Sequence, residues 1–339
     1  MKWRNRLETL ARSVLSPREP IVLMYHRVAN LRNDPWELAV TPENFREHVR
    51  ILSETRRVVP LRTLLEEARQ GRGTGMVAIT FDDGYVDVFE NALPILAEFQ
   101  CPATTFLVAD ALGRNREFWW DKLTRIVFDP PELPPALMLD IGDERFLWRN
   151  AGAAASANID ERGRKALYYA LWRRLLVLDE IRRDECLGRL AEWADIADGD
   201  DRSNRAMSAE QAARMAAGGL MEIGAHTMSH PSLPALGPDG QRAEILRCRK
   251  ACEEVCGRPV DMFAYPFGNF DGTSVALARE AGYAAAFTTR AGTLSLMKDP
   301  LEIPRANIGN FSGKRFRRAL AMNFAIPNAL PLSLSARLN

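Results

Sequence analysis

The sequence predicts an α/β fold, with a largely parallel sheet or a barrel packed against helices. Three observations predict it. Short apolar runs of strand length recur along the 339 residues: IVLMY (21–25), VAITF (77–81), ATTFLV (103–108), MEIGA (221–225), MFAY (262–265) and AAAFTT (284–289). Runs that are apolar on both faces suit strands buried in a parallel sheet. Helical patterns lie between many of them, and strand–helix alternation builds parallel sheets and barrels. The composition, 47% hydrophobic and 26% charged, is that of an ordinary globular protein and excludes a disordered or fibrous chain. At roughly 150 residues per domain the length suggests about two domains, although barrels reach about 250 residues as one.

In chain order, the basic stretch 1–19 places Trp3, Leu7, Leu10 and Val14 at helical spacing. It lacks the apolar core of a secretory signal. Two readings stay open for it: a helix packed on its own domain, or one lying on a membrane surface. After strand 21–25, Thr41-Pro42 supplies an N-cap and an N1 proline for a helix with Phe45, Val49 and Leu52 as its stripe. A further helix is predicted from about Val86 to Phe99. Residues 114–205 break the alternation with a hairpin at 137–148 and helical stretches at about 161–177 and 179–196, and read as an insertion. Ser208 and Gln211 form a capping-box pair, and Gly218-Gly219 closes that helix. Asp239 is expected to cap a helix ending at Gly257. The expected organisation is a segment 1–19, a domain 20–310 carrying the insertion, and an extension 311–339.

Charge excludes one class of partner. Lys and Arg total 45 against 44 Asp and Glu, so no basic field points to nucleic acid. No stretch reaches the roughly 18 apolar residues needed to span a bilayer. Any membrane-surface contact, through the N-terminal helix and the basic run 313–318, is expected to be weak. Five cysteines, an odd number, argue against a disulfide framework and for a reducing, cytoplasmic setting. Cys248, Cys252 and Cys256 tempt a metal-cluster reading, but Ile245, Cys248, Cys252 and Val255 describe one apolar helix stripe. Trp119 and Trp120 are either core residues of the insertion or a surface for stacking sugars.

The chemistry concentrates in two motifs. His226-Thr-Met-Ser-His230 puts two imidazoles four residues apart, a spacing that can converge on one cation. Pro231 disfavours a helix there, which places the pair on the turn after strand 221–225. In Thr80-Phe-Asp82-Asp83-Gly84-Tyr85, both carboxylates reach one site only where the strand ends and Gly84 turns the chain. Such a pair at a strand tip is costly without a compensating cation or partner. An N-cap role explains Asp83 alone but not Asp82 as well.

Together TFDDGY (80–85), HTMSH (226–230) and FAYPFG (263–268) resemble the polysaccharide deacetylase family, the NodB-homology carbohydrate esterases, over about residues 20–110 and 206–310. The resemblance implies a distorted (β/α) barrel with its site at the C-terminal strand ends, and metal-assisted removal of acetyl groups from N-acetylated sugars. It implies Asp83, His226 and His230 as metal ligands. One carboxylate and two imidazoles suit Zn²⁺, while Co²⁺, Ni²⁺ or Fe²⁺ also fit. Asp82 matches the family's base, taking a proton as water activated by the metal attacks the acetyl carbonyl. Tyr265, Pro266 and Phe267 match the third motif, the Phe267 N–H being a candidate oxyanion donor.

Two positions depart from the family pattern. The usual acid is a late histidine, and no histidine follows His230. His26 follows the strand 21–25 in a Tyr-His pair, which resembles the family's permuted relatives, and is the candidate acid. His48 sits beside an apolar helix stripe and reads as structural. Ala264 occupies the place of an arginine that usually braces the base, and Arg305 is the candidate replacement. A related amidohydrolase acting on a cyclic imide or ureide, and a glycan-binding protein without catalysis, remain alternatives.

Overall fold

The computed structural model describes residues 18–149, 160–197 and 201–323. In chain order the strands among them are β1 (Ile21–Tyr25), β2 (Arg27–Val28), β3 (Ala39–Val40), β4 (Arg57–Val58), β5 (Met76–Phe81), β6 (Ala103–Leu107), β7 (Ala136–Ile141), β8 (Glu144–Arg149), β9 (Met221–Ala225), β10 (Met262–Ala264), β11 (Ala285–Phe287) and β12 (Ala306–Asn307). The described chain forms two compact units. One comprises the residues through Asn30, Trp36–Gly113 and those from Met207 onward; the other comprises Leu31–Pro35 and Arg114–Ala206.

The first unit is built on a parallel sheet in the order β11-β10-β9-β6-β5-β1-β12, with β4 paired to β5. One segment brings the sheet's ends together. Ile303 bridges to Phe287 of β11, and three residues later Ala306 pairs with Leu23 of β1. The α/β barrel expected from the alternating pattern is therefore present, with a thin seam at 303–307. The purely apolar strands follow from this architecture, because each is covered on both faces. Val22, Ala78, Phe106, Met262, Ala264, Phe287 and Ile303 pack together inside. Leu23, Ile79, Ile223 and Phe263 face outward into the helical layer.

Local signals place most helices of that layer. Thr41 caps the helix Pro42–Thr55 by accepting from the Asn44 N–H, and Phe45, Val49 and Leu52 are buried on its inner stripe. Ser208 and Gln211 make the reciprocal capping box of the helix Ala209–Ala217. The helix Pro238–Cys256 stops at Gly257 in the left-handed conformation. Its Ile245, Cys248 and Cys252 are fully buried, so the cysteine stripe is core, and all five cysteines are free thiols.

Two expectations need correction. The N-cap of that helix is Gly237, with Pro238 at its first position, so Asp239 lies inside the first turn and does not cap it. The single helix expected at 86–99 is interrupted: a π-helical turn, Val88–Ala92, precedes the α-helix Leu93–Glu98. Pro94 explains the widening, since it cannot donate to Glu90 and its ring crowds that carbonyl.

The basic run belongs to the helix Gly313–Ala321, whose Phe316, Ala319 and Leu320 are buried. Lys314, Arg315, Arg317 and Arg318 are its exposed face. Phe316 stacks on His48 at 4.0 Å. His48 is fully buried, with Nε2 2.7 Å from the Phe311 carbonyl and Nδ1 3.3 Å from the Tyr25 hydroxyl. Its role is structural, as expected. The amphipathic pattern at Trp3, Leu7, Leu10 and Val14 lies outside the described residues.

Burial pushes the His48 imidazole down to about 4 from its usual 6.5, despite the Phe311 bond. The folded state keeps it neutral while the unfolded chain takes up a proton below about pH 6.5. Stability is therefore expected to fall as pH drops from about 6.5 to about 4, by about 3 kcal/mol at 1.36 kcal/mol per pKa unit. Urea unfolding across that window should show the slope, and His48→Asn should flatten it.

The second unit holds the hairpin β7–β8, the helix Trp119–Phe128 and the helices Glu161–Leu175 and Glu180–Trp193, the last two capped by Asp160 and Asp179. The hairpin alternates, with Leu137, Leu139, Ile141 and Phe146 buried and Met138 and Leu147 exposed. Trp120 is buried and stacks on Phe118 at 4.6 Å, while Trp119 packs against Trp172 and lies under the Arg183 guanidinium. Trp120 is therefore part of the unit's own core, and the half-buried Trp119 packs edge-on against it.

Candidate active site

The C-terminal strand ends of the first unit bring the two motifs together. Asp82 and Asp83 follow β5, His226 follows β9, and His230 lies four residues on. Gly84, at φ +74°, turns the chain sharply beside Leu107 of β6, and Asp83 itself adopts φ 71°. Thr227, His230 and Phe267 also lie in the left-handed region. This is strained backbone for residues with a Cβ, and it clusters at this site.

Asp83 Oδ1 lies 3.4 Å from His226 Nε2 and 3.2 Å from His230 Nε2, and the two imidazole nitrogens are 3.2 Å apart. All three side chains are buried. A tetrahedral ion with bonds of about 2.0–2.2 Å separates its ligands by about 3.3–3.6 Å, so the triangle fits one metal ion. His226 Nδ1 donates to the Ala264 carbonyl at 2.7 Å, which leaves the Nε2 lone pair aimed at the triangle. Among the described residues this is the group of three such side chains that could hold a metal.

Beside the triad, Asp82 is clasped by Arg305. The two outer guanidinium nitrogens lie 2.7 and 2.6 Å from its two oxygens, and Arg305 is fully buried. Arg305 Nε also donates to the Thr288 carbonyl and its Nη1 to Thr80 Oγ1. Burial pushes the Asp82 carboxyl up, but the Arg305 charge and bonds more than offset it and hold it below the usual carboxylate range. Burial likewise works against ionisation of Asp83, yet its bonds to His226 and His230 hold it well below that range. Burial lowers both histidines. The Asp83 bond and the Asp82 charge reverse this at His226, while His230 stays lowered.

The remaining candidates divide. His26, just past β1, is half-buried, near enough for its charge to act on Asp82 and Asp83, and its buried Nδ1 has no hydrogen-bond partner among the described residues. The Phe267 ring stands edge-on to His230 at 4.3 Å. Tyr265 is different: its side chain is fully buried in the core and its hydroxyl donates to the Leu301 carbonyl. Only its backbone borders the site, because it alternates with the inward-facing Ala264.

Sequence reasoning missed two supports. Thr227 Oγ1 accepts from the His230 N–H at 3.1 Å, latching the turn between the imidazoles. Asp87 accepts from Arg27 Nε at 2.9 Å and from the Val28 N–H at 2.8 Å, which ties the segment after His26 to the Asp82–Asp83 loop. The Arg27 guanidinium also lies 4.1 Å over the Tyr85 ring. The nearest available signal was a third acid close behind Asp82-Asp83.

The sequence model of one family, polysaccharide deacetylase, matches residues 69–133 and 192–286, and these stretches carry Asp82, Asp83, His226 and His230. The chain belongs to the polysaccharide deacetylase family. A curated relative, YxkH of Bacillus subtilis (strain 168), whose name places it provisionally among polysaccharide deacetylases, is 28% identical over 97 residues. That match spans 28% of this chain and 33% of YxkH. Two solved structures, the first of them named a deacetylase, share the fold of this family member. Streptococcus pyogenes PplD is 17% identical with a TM-score of 0.56, covering 90% of this chain and 99% of that one. IcaB from Ammonifex degensii is 20% identical with a TM-score of 0.56, covering 91% and 97%. The family member's barrel is thus of the NodB type. No helix among its described residues is long and apolar enough to cross a membrane.

Proposed function

We propose that the chain is a metal-dependent N-deacetylase, hydrolysing the acetamido group of an N-acetylated sugar in an oligosaccharide, polysaccharide or glycan precursor. The observation that carries this reading is the convergence of Asp83, His226 and His230 at the strand ends beside an Asp82 carboxylate fixed by Arg305. The PplD structure holds acetate, the acid such a reaction releases. Free thiols suit a reducing, cytoplasmic setting.

Asp83, His226 and His230 would hold the ion, Zn²⁺ by its donor set. When bound, a divalent ion there supplies Lewis-acid polarisation and a water of lowered pKa. Asp82, kept ionised and oriented by Arg305, takes the proton of the attacking water. The water oxygen bonds to the acetyl carbon, and the Phe267 N–H donates to the oxygen that gains charge. The C–N bond then breaks, His26 delivers a proton to the departing amine, and acetate leaves.

The test is acetate release from N-acetylated chitooligosaccharides by the purified chain, before chelation, after it, and after Zn²⁺ is restored. Activity should vanish and return. His26→Ala should lower kcat by about 10²-fold or more, and a loss of less than about threefold would reject His26 as the acid. Hydrolysis of a cyclic imide without acetate release would overturn the sugar reading.

A further inference from the structure

Between the two imidazoles, the turn Thr227–Ser229 leaves two successive backbone N–H groups pointing away from the triad. Both end on one side chain. Glu244, on the helix Pro238–Cys256, accepts from the Met228 N–H at 2.8 Å and the Ser229 N–H at 2.9 Å through one oxygen. Its other oxygen accepts from the Ser229 hydroxyl at 2.7 Å. Successive amides of this kind form an anion-binding nest, and here the chain fills the nest with its own carboxylate. The turn needs such a hold. Thr227 at φ 66° and His230 at φ 59° are both in the left-handed region, which a β-branched threonine in particular disfavours. Thr227 Oγ1 braces the turn internally, and the Ala109 and Asp110 amides hold the Thr227 and Met228 carbonyls from β6's end. Glu244 is the clasp from the helix side.

We propose that Glu244 is a positioning residue for cation binding: by occupying the nest it holds His226 and His230 at the separation that one ion needs. This rests on the reading of Asp83, His226 and His230 as a metal site. Outer partners that orient ligands typically change metal affinity about 10–100-fold when removed, and Glu244 orients the backbone that carries two ligands at once.

The experiment titrates the full-length, chelator-stripped protein with Zn²⁺ against a chromophoric competitor, with thermal unfolding of the metal-free protein alongside. Glu244→Gln keeps the size but loses the charge and one acceptor. It should weaken Zn²⁺ affinity about 10–100-fold, with the metal-free unfolding temperature little changed and kcat recovered at saturating Zn²⁺. Glu254→Gln, on an exposed position of the same helix, should leave the affinity alone. If wild type takes up Zn²⁺ and Glu244→Gln matches it within about twofold, the inference is overturned while the metal site stands. If wild type takes up none, the metal reading fails and this inference falls with it. Should Glu244→Gln not fold, Ser229→Ala removes a single one of the three bonds at an exposed residue. A smaller loss in the same direction supports the clasp, and unchanged affinity overturns it.

Discussion

Arg305→Met should destabilise the fold by about 3–5 kcal/mol, and Asp82→Asn should do nearly the same, yet the double variant should be more stable than either alone. The pair is sealed from water: Arg305 is fully buried, Asp82 is 2% exposed, and two charge-assisted bonds of 2.6 and 2.7 Å join them. Removing one partner leaves the other charged in a site where burial already opposes ionisation. Removing both takes that cost away, so the coupling energy in a double-mutant cycle should be large. Urea unfolding of the four proteins measures it. All three variants should also lose acetate release by about 10²-fold or more, because Asp82 is the proposed base and Arg305 orients it. Arg305→Lys is the sharper probe. A lysine keeps the charge but cannot present a planar fork to both oxygens while also reaching the Thr288 carbonyl. Unimpaired turnover in Arg305→Lys would mean that the fork is not what positions the base.

Gly224→Ala should cost about 3 kcal/mol, at the upper end for an added methylene in a packed core. Gly224 and Phe106 are direct cross-strand partners on β9 and β6. A methyl group at Gly224 would stand 2.4 and 2.5 Å from two Phe106 ring carbons and 3.2 Å from the Met262 carbonyl oxygen. The ring has nowhere to go: Phe106 is fully buried, 5.3 Å from the Phe287 ring and 5.6 Å from the Arg305 guanidinium. Two residues further along, just past the end of that strand, stands His226, so a displaced backbone would also disturb the triad. Thermal and urea unfolding should show the loss, and adding Phe106→Leu should recover part of it by vacating volume. If Gly224→Ala unfolds at the wild-type midpoint, the ring does not rest on that glycine.

Glycine at this position carried no distinguishing mark in the sequence, because MEIGA reads as one more apolar run. The same limit explains the other gaps. A cap or a stripe is written within four residues, so Thr41, the Ser208–Gln211 box, the stop at Gly257 and the run Ile21–Tyr25 could be read directly. The π-turn ahead of Pro94 and the Gly237 cap required knowing how competing local signals resolve, and there the reading erred. Tyr265 was placed by its motif, while its side chain follows strand alternation into the core.

By itself the sequence determined that strands and helices alternate around a parallel sheet, and that the acids at 82–83 and the imidazoles at 226 and 230 end up at strand tips. Those features follow from short-range periodicity and turn chemistry. Only the tertiary structure decided that Arg305 grips Asp82 across 223 residues, that Asp87 ties the segment after His26 to the acidic loop, and that Glu244 holds the turn between the imidazoles. Closing the barrel sets these distances, and closure depends on side-chain volumes from every strand at once rather than on any local stretch of chain.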